Sequence, residues 1–312
     1  MSVLSVFVGA ILPVLALAGI GYLLAVRRNV AVGPLNAVTV YVLAPALVFH
    51  TLATTEMSGA VVAKVAAGVV VLTFTMALVA DAAGRALGEE EPTLSALVLA
   101  ATFQNTGNYG LPVAAFAFGV AGRETAVLFL TAQSVLIYTL GVYLAARSGG
   151  RAGTAGVRQV FYTPLVYAAV AGLVLRAGGW VPTGNVMDTV ALTGDAAIPL
   201  LQIVLGAQLA RTEFGSVRSA AVLPTLFRFG VAPLLGVALA VLLDFGDPAV
   251  ARVFVLEAAM PVAVTPVLLI TEFGGDGIEG PGYVSAATLV TTLVSVPFLS
   301  ALIVALQSGW LV

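Results

Sequence analysis

Apolar stretches of roughly 20 residues recur from one end of the chain to the other, each long enough to cross ~30 Å of hydrocarbon as a helix. They are apolar all round and lack the residue-by-residue alternation of an outer-membrane strand. The pattern predicts an all-α membrane protein with spans near 3–26, 34–55, 60–80, 94–119, 123–146, 158–177, 185–210, 217–242, 249–271 and 282–308. The fourth, seventh and ninth spans are the least regular, because Gly, Pro or carboxylates interrupt them.

Basic residues orient these spans. With the N-terminus outside, the inner loops hold Arg27, Arg28, Arg85, Arg147, Arg151, Arg158, Arg211 and Arg218. The outer side then holds Lys64, Arg123, Arg176 and Arg252, with Arg228 inside a span. This excess predicts both termini outside a plasma membrane. The Gly-rich, basic connector from Arg147 to Arg158 divides the spans five and five. An odd number per half requires the halves to be inserted in opposite senses. Residues 1–150 and 151–312 are therefore expected to form two inverted five-helix repeats. Sequence traces agree. Pro13 heads PVLALAGIGYLL and Pro164 heads PLVYAAVAGLVL, each with a glycine eight residues on (Gly21, Gly172). Pro45 and Pro199 are 154 residues apart, as are Pro112 and Pro266.

Composition removes several alternatives. Hydrophobic residues make up 60% of the chain and charged ones 9%, against about a quarter charged in soluble domains. A net charge of −2 implies no nucleic-acid partner. There is no cysteine, which excludes thiol catalysis and thiolate metal sites, and His50 is the only histidine. The first 26 residues lack the basic leading region of a cleaved signal. There is no GxSxG elbow and no Walker A motif, so neither a serine hydrolase nor direct ATP drive is expected.

Candidate chemistry concentrates in two spans. The fourth contains Phe103-Gln104-Asn105-Thr106-Gly107-Asn108-Tyr109-Gly110-Leu111-Pro112. Four polar side chains, two glycines and a proline at membrane depth point either to a broken helix or to a kink whose Asn and Thr side chains bond to neighbours. A break leaves half-helix ends, whose N–H groups hold anions and whose carbonyls hold cations. The ninth span contains Glu257-Ala258-Ala259-Met260-Pro261-Val262-Ala263-Val264-Thr265-Pro266. Two prolines five apart oppose a continuous helix, and an intramembrane carboxylate costs several kcal/mol unless it is paired, protonated or bound to a cation. Glu257 is thus a candidate coupling site for H+ or Na+, with an ion pair to Arg228 as the alternative. Asp195 and Arg228 are candidate counter-charges, and Gln133 and Ser134 candidate partners in a cation site. His50 and Gln202 are expected to be structural.

The ordered motifs resemble the auxin efflux carrier family, which includes plant PIN-type carriers and prokaryotic malonate-permease-like proteins. The likeness rests on Gly19-Ile20-Gly21-Tyr22-Leu23-Leu24 and Ala44-Pro45-Ala46-Leu47-Val48-Phe49. It continues through Asn105 to Pro112, Ala259-Met260-Pro261 and Thr291-Thr292-Leu293. The resemblance implies ten helices in two inverted repeats, with broken helices 4 and 9 crossing as in the related bile-acid sodium symporter fold. It also implies an elevator-type carrier, with spans one, two, six and seven as scaffold. Asn105, Asn108 and Pro112 match the first crossover segment and Pro261 the second. Glu257-Ala258-Ala259-Met260 is similar to the sodium-binding Glu-x-x-Met segment of the bile-acid relatives, whereas plant members are not considered sodium-coupled. The long central hydrophilic loop of plant members is absent. The expectation is a secondary-active carrier for a small organic anion such as a carboxylate, bound at Asn105, Thr106, Asn108, Gly110, Pro112, Met260, Pro261 and Pro266. Carriers of this fold are often homodimers. The rival reading is a non-transporting sensor on the same fold.

Overall fold

A computed structural model describes residues 2–148, 163–211, 221–274 and 279–312. Among them all regular structure is helical except one isolated two-residue bridge. In chain order the helical elements are α1 (Val3–Arg28), α2 (Val32–Thr54), α3 (Gly59–Ala86), α4 (Thr93–Thr102), α5 (Thr106–Arg147), α6 (Pro164–Gly178) and α7 (Asn185–Leu209). They are followed by α8 (Val222–Leu243), α9 (Pro248–Ala258), α10 (Thr265–Phe273) and α11 (Glu279–Gln307). Seven helices in the described residues are long and apolar enough to cross a membrane, and α4 and α6 are shorter apolar helices. The chain is a multi-pass helical membrane protein.

The departures from ten uninterrupted helices have local causes. Helix α5 has 42 residues and, if straight, would extend about 63 Å, twice the hydrocarbon thickness. It is not straight. Gly119 has φ 62° and ψ −134°, a conformation open to glycine and hostile to side chains, and the chain folds back there. The return is close enough that the Gly122 Cα abuts the Ala114 carbonyl. The expected fourth and ninth spans are each split in two, between α4 and α5 and between α9 and α10. Four widened π-helical turns, beside a fifth at Ile137–Gly141 that no proline follows, occur at Phe7–Ile11, Thr39–Leu43, Thr106–Gly110 and Phe227–Val231. Each lies directly before Pro13, Pro45, Pro112 or Pro233, whose missing N–H and ring clash a wider turn accommodates. The Arg147–Arg158 connector, with Arg151 and Arg158, falls almost wholly outside the described residues, as does Arg218.

The helices pack in two groups. In the first, α1 lies against α7 and α2 against α6 and α7. Backbones nearly touch: Gly21 lies under the Ile203 carbonyl, Gly206 under that of Ala18, and Gly194 on the backbone of Leu47. Small residues permit this approach, and in lipid such packing is a main source of helix association. In the second group α3 packs on α4 and α5, α9 on α5 and α8, and α11 on α4 and α10. Its core includes Phe254 between Phe129 and Phe245, with ring centroids 5.3 and 5.1 Å away.

Ion pairs mark both faces. On the face carrying Arg27 and Arg28, Arg147 bonds Asp81 at 2.7 Å and Glu91 at 2.8 Å. On the opposite face Arg123 pairs with Asp195 at 2.7 Å, and the Thr55 hydroxyl donates to Glu124 at 2.9 Å. These last contacts tie the start of the returning limb of α5 to α7 and α2.

Candidate functional site

The site is built from two interruptions. Helix α4 stops at Thr102, Phe103 turns extended (φ −102°, ψ 109°), and α5 starts again at Thr106. Asn105 caps the new helix: its side-chain oxygen accepts from the Asn108 N–H at 3.1 Å and its carbonyl from the Gly110 N–H at 2.8 Å. Asparagine is among the best residues for this position, and Pro112 follows the wide first turn, which accommodates its missing N–H. In the second interruption α9 ends at Ala258 and α10 starts at Thr265, with Pro266 in its first turn.

The two extended pieces cross as a miniature antiparallel ladder. Gln104 bridges Val262, the Asn105 N–H donates to the Pro261 carbonyl at 2.7 Å, and the Ala263 N–H to the Phe103 carbonyl at 3.0 Å. Backbone groups freed at membrane depth must find partners inside the protein, and neighbouring side chains supply the rest. The Gln133 amide donates to the Gln104 carbonyl at 2.7 Å and to the Thr106 hydroxyl at 3.3 Å. On α11, the Thr291 hydroxyl accepts from the Val262 N–H at 3.1 Å and the Thr288 hydroxyl donates to the Ala263 carbonyl at 3.2 Å.

The crossing brings two helix C-termini and two N-termini together. Both C-termini are held by one side chain. The Arg228 guanidinium, 0% exposed, donates through Nε to Met260 O and through Nη1 to Ala101 O, both at 2.9 Å, and through Nη2 to Ala258 O. A planar donor fork with a permanent charge suits carbonyls at the negative ends of helices. The N-termini face elsewhere. Asn105, Thr106, Gly107 and Asn108 from the start of α5, and Val264 and Thr265 from that of α10, line a cavity of about 190 Å³. Asn36 in α2, Gln133, Ser134 and Tyr138 in α5, and Gln208 in α7 complete its polar wall. Asn36 lies near the start of α2 and Gln208 near the end of α7, so the cavity extends from the crossing toward the face of Arg28 and Arg211. At the crossing the side-chain NH2 groups of Gln104 and Asn105, residues 1% and 5% exposed, lack hydrogen-bond partners, as do the Thr102 hydroxyl and Gln133 Oε1.

Glu257 lies apart from this wall. It is 0% exposed, at the end of α9, and its carboxylate is pressed against Gly110, leaving no room for a Cβ there. Among the described residues neither carboxylate oxygen has a hydrogen-bond partner. It forms no ion pair with Arg228, whose donors go to backbone carbonyls.

The structure thus gathers Asn105, Thr106, Asn108, Gly110, Pro112, Met260, Pro261, Pro266, Arg228 and Glu257 about one crossing, with Gln133 and Ser134 on the cavity wall. Asp195 is elsewhere, paired with Arg123 and with its side chain 57% exposed. Gln202 is buried on α7, within the glycine-packed group, and His50 is half-buried on α2. Thr288 and Gln208 take part without having been singled out, and Gln104, one of the four polar side chains of the fourth span, without having been given a role. The Thr288, Thr291 and Thr292 spacing puts three hydroxyls on one side of α11, a signal for the first of these.

A multi-pass helical bundle whose two interrupted helices cross beside a polar cavity is the architecture of a membrane carrier. Comparison with known proteins gives the family. The membrane transport protein family matches residues 6–155 and 151–303, and the chain belongs to it, the auxin efflux carrier family whose motifs it carries. The chain is 29% identical over 308 residues to an uncharacterized transporter of Methanothermobacter thermautotrophicus, covering 96% of this chain and 100% of that protein. It is 24% identical over 288 residues to an uncharacterized transporter of Methanocaldococcus jannaschii, covering 89% and 88%.

Proposed function

We propose that this protein is a secondary-active carrier of a small organic anion, a carboxylate by chemistry, working by elevator-type alternating access. The observation that carries the reading is the crossing itself. Two half-helix N-termini turn N–H donors and positive potential toward one 190 Å³ cavity, and the unpartnered NH2 groups of Gln104 and Asn105 are buried beside it, with the unpartnered Gln133 Oε1 as a nearby acceptor. A carboxylate accepts from such a set and a cation does not. Asn105, Thr106 and Asn108 bind it, with Gln133 and Ser134 on the same wall. Gly110, Pro112, Met260, Pro261 and Pro266 shape the breaks, and the buried carboxylate of Glu257 is the coupling group for the driving ion.

Two inverted five-helix repeats, residues 1–150 and 151–312, account for the packing. Counting α4 with the outgoing limb of α5 as the fourth span and α9 with α10 as the ninth, the pairs α1·α7 and α2·α6 exchange under such a relation. So do α3·α4 and α8·α9. The glycine-packed group α1, α2, α6 and α7 is the scaffold, and the remaining helices move with the crossing. Substrate then travels with its site from one face to the other.

Exchange of labelled monocarboxylates and dicarboxylates into preloaded proteoliposomes tests the reading. Saturable counterflow of at least one carboxylate, lost in Asn105→Ala, is expected. Saturable binding of a carboxylate with no flux under any gradient would instead make the protein a sensor on a carrier fold.

A further inference from the structure

We propose that the carrier is an electroneutral proton–monoanion symporter, with Arg228 as the fixed cation of the crossing and Glu257 as the group that takes the coupling proton. The inference rests on the carrier reading and decides what drives it. Charge accounting leads there. A helix end is equivalent to about half an elementary charge, so the C-termini of α4 and α9 sum to about −1 and the N-termini of α5 and α10 to about +1. Arg228 is bonded to carbonyls at both C-termini and offsets them. The positive pair is left facing the cavity, where it matches one anionic group.

Glu257 completes the sum. Among the described residues, Arg228 and Glu257 are the charged side chains that are fully buried. In the empty carrier an ionised Glu257, pressed against Gly110 beside the positive first turn of α5, meets the charge that Arg228 leaves uncompensated. When an anion enters the cavity, an ionised Glu257 becomes a second buried negative charge without a donor or counter-ion, which is costly. One proton from the aqueous phase, bound to its carboxylate, removes that charge. The moving helices then carry the same net charge loaded and empty. The proton leaves with the anion on the other side.

Sodium fits this crossing poorly. Besides the unpartnered oxygens of Glu257 itself, a dehydrated cation would use the carbonyls that the two breaks release. Those of Ala101, Ala258 and Met260 accept from Arg228, that of Gln104 from Gln133, and that of Ala263 from Thr288. Those of Phe103 and Pro261 are used in the ladder. Each oxygen keeps a second lone pair, but a guanidinium already among them repels another cation. Other titratable groups on the helices around α9 are committed or remote. Tyr109 on α5 accepts from Ser295, Tyr138 lines the cavity, and Tyr283 lies near the start of α11. Lys64 is bonded to the Asp244 carbonyl, while Asp81, Arg85 and Arg147 pair together. Arg123 and Glu124 are held at Asp195 and Thr55.

The test uses wild-type proteoliposomes and a labelled monocarboxylate that gives counterflow. If no carboxylate gives counterflow, the carrier reading fails first and this inference falls with it. Given counterflow, and with uptake into protein-free liposomes subtracted because the neutral acid itself crosses lipid, an inward proton gradient of about one pH unit, with potential clamped by potassium and valinomycin, is expected to drive about tenfold accumulation. A change of clamped potential, or replacement of sodium by choline, should leave that ratio unchanged. Accumulation driven by potential alone, or by sodium with no response to pH, overturns the proposal even though the protein is a carrier. Glu257→Gln should bring pH-driven accumulation down to about unity, and Glu257→Asp should restore part of it. Each variant is read as accumulation relative to exchange, which a smaller amount of folded protein does not alter. A Glu257→Gln carrier that still accumulates tenfold refutes the assignment.

Discussion

Between α1 and α7, Gly21 lies under the carbonyl of Ile203 and Gly206 under that of Ala18, with no charged side chain at those contacts. Between α4 and α9, the chain has no such helix-to-helix fit, and one arginine, one glutamine and two threonines hold broken backbone together. The first arrangement is short-range and steric. It gains dispersion from close backbones and tolerates little sliding. The second is polar and costly at membrane depth, and a protein retains such an arrangement where it binds or moves something. Under the proposed alternating access the difference separates a frame from the helices that carry the site, and it can be attacked from either side.

The largest effect is expected at Arg228. Arg228→Met removes donors from three buried carbonyls, each costing about 1–3 kcal/mol when left unmet. The sum is reduced because the guanidinium's own desolvation cost disappears with it, so a loss on the order of 3–5 kcal/mol is expected. Thermal unfolding in detergent measures it, and Arg228→Lys should recover only a fraction, because an ammonium cannot span the same fork. A Met variant as stable as wild type would mean that the C-termini do not depend on this residue.

A smaller effect, on the other group, is expected for Gly206→Ala. The new methyl would overlap the Ala18 carbonyl, and the two helices must separate by part of a carbon diameter at a cost of about 1–3 kcal/mol. The crossing is untouched and only the Gln208 side of the cavity adjoins the substitution, so substrate affinity by isothermal titration should remain within about twofold of wild type. Should affinity fall tenfold while stability holds, the glycine-packed helices contribute more to binding than the wall residues Asn36 and Gln208, and the division into two groups is wrong.

The two regions were also unequally legible in the sequence. Hydrophobic runs sufficed to place the long helices, since nothing else keeps backbone satisfied in lipid. The breaks at Asn105 to Pro112 and at Pro261 to Pro266 were legible because polar residues and prolines at membrane depth are expensive. What stayed hidden was partnership. Glu257 and Arg228 are both intramembrane charges, and residue types alone make an ion pair a natural alternative. The fold instead sends the guanidinium to backbone carbonyls, which have no signature in sequence. Asp195 illustrates the converse: its carboxylate interrupts an apolar span, but Arg123 reaches it from the returning limb of α5. That contact depends on the reversal at Gly119, which falls where the hydrophobic runs end one span at 119 and begin the next at 123; the pairing across it has no signature in sequence.

That reversal supplies the smallest and most discriminating test. Arg123 on α5 and Asp195 on α7 join the two groups across the face opposite the cavity, with side chains 24% and 57% exposed. Exposed pairs of this kind contribute about 0.2–1 kcal/mol, so Arg123→Ala should scarcely move the melting temperature. Under alternating access the same bond must break whenever the crossing moves past the glycine-packed helices. Removing it lowers a barrier by that amount, a rate increase of up to about fivefold in counterflow. Salt should mimic the substitution in wild type and have little further effect on the variant, because screening acts on the same exposed pair. If counterflow is unchanged in Arg123→Ala and insensitive to salt in both, the contact does not cross a moving boundary. The line between frame and carriage must then be drawn elsewhere than between α5 and α7.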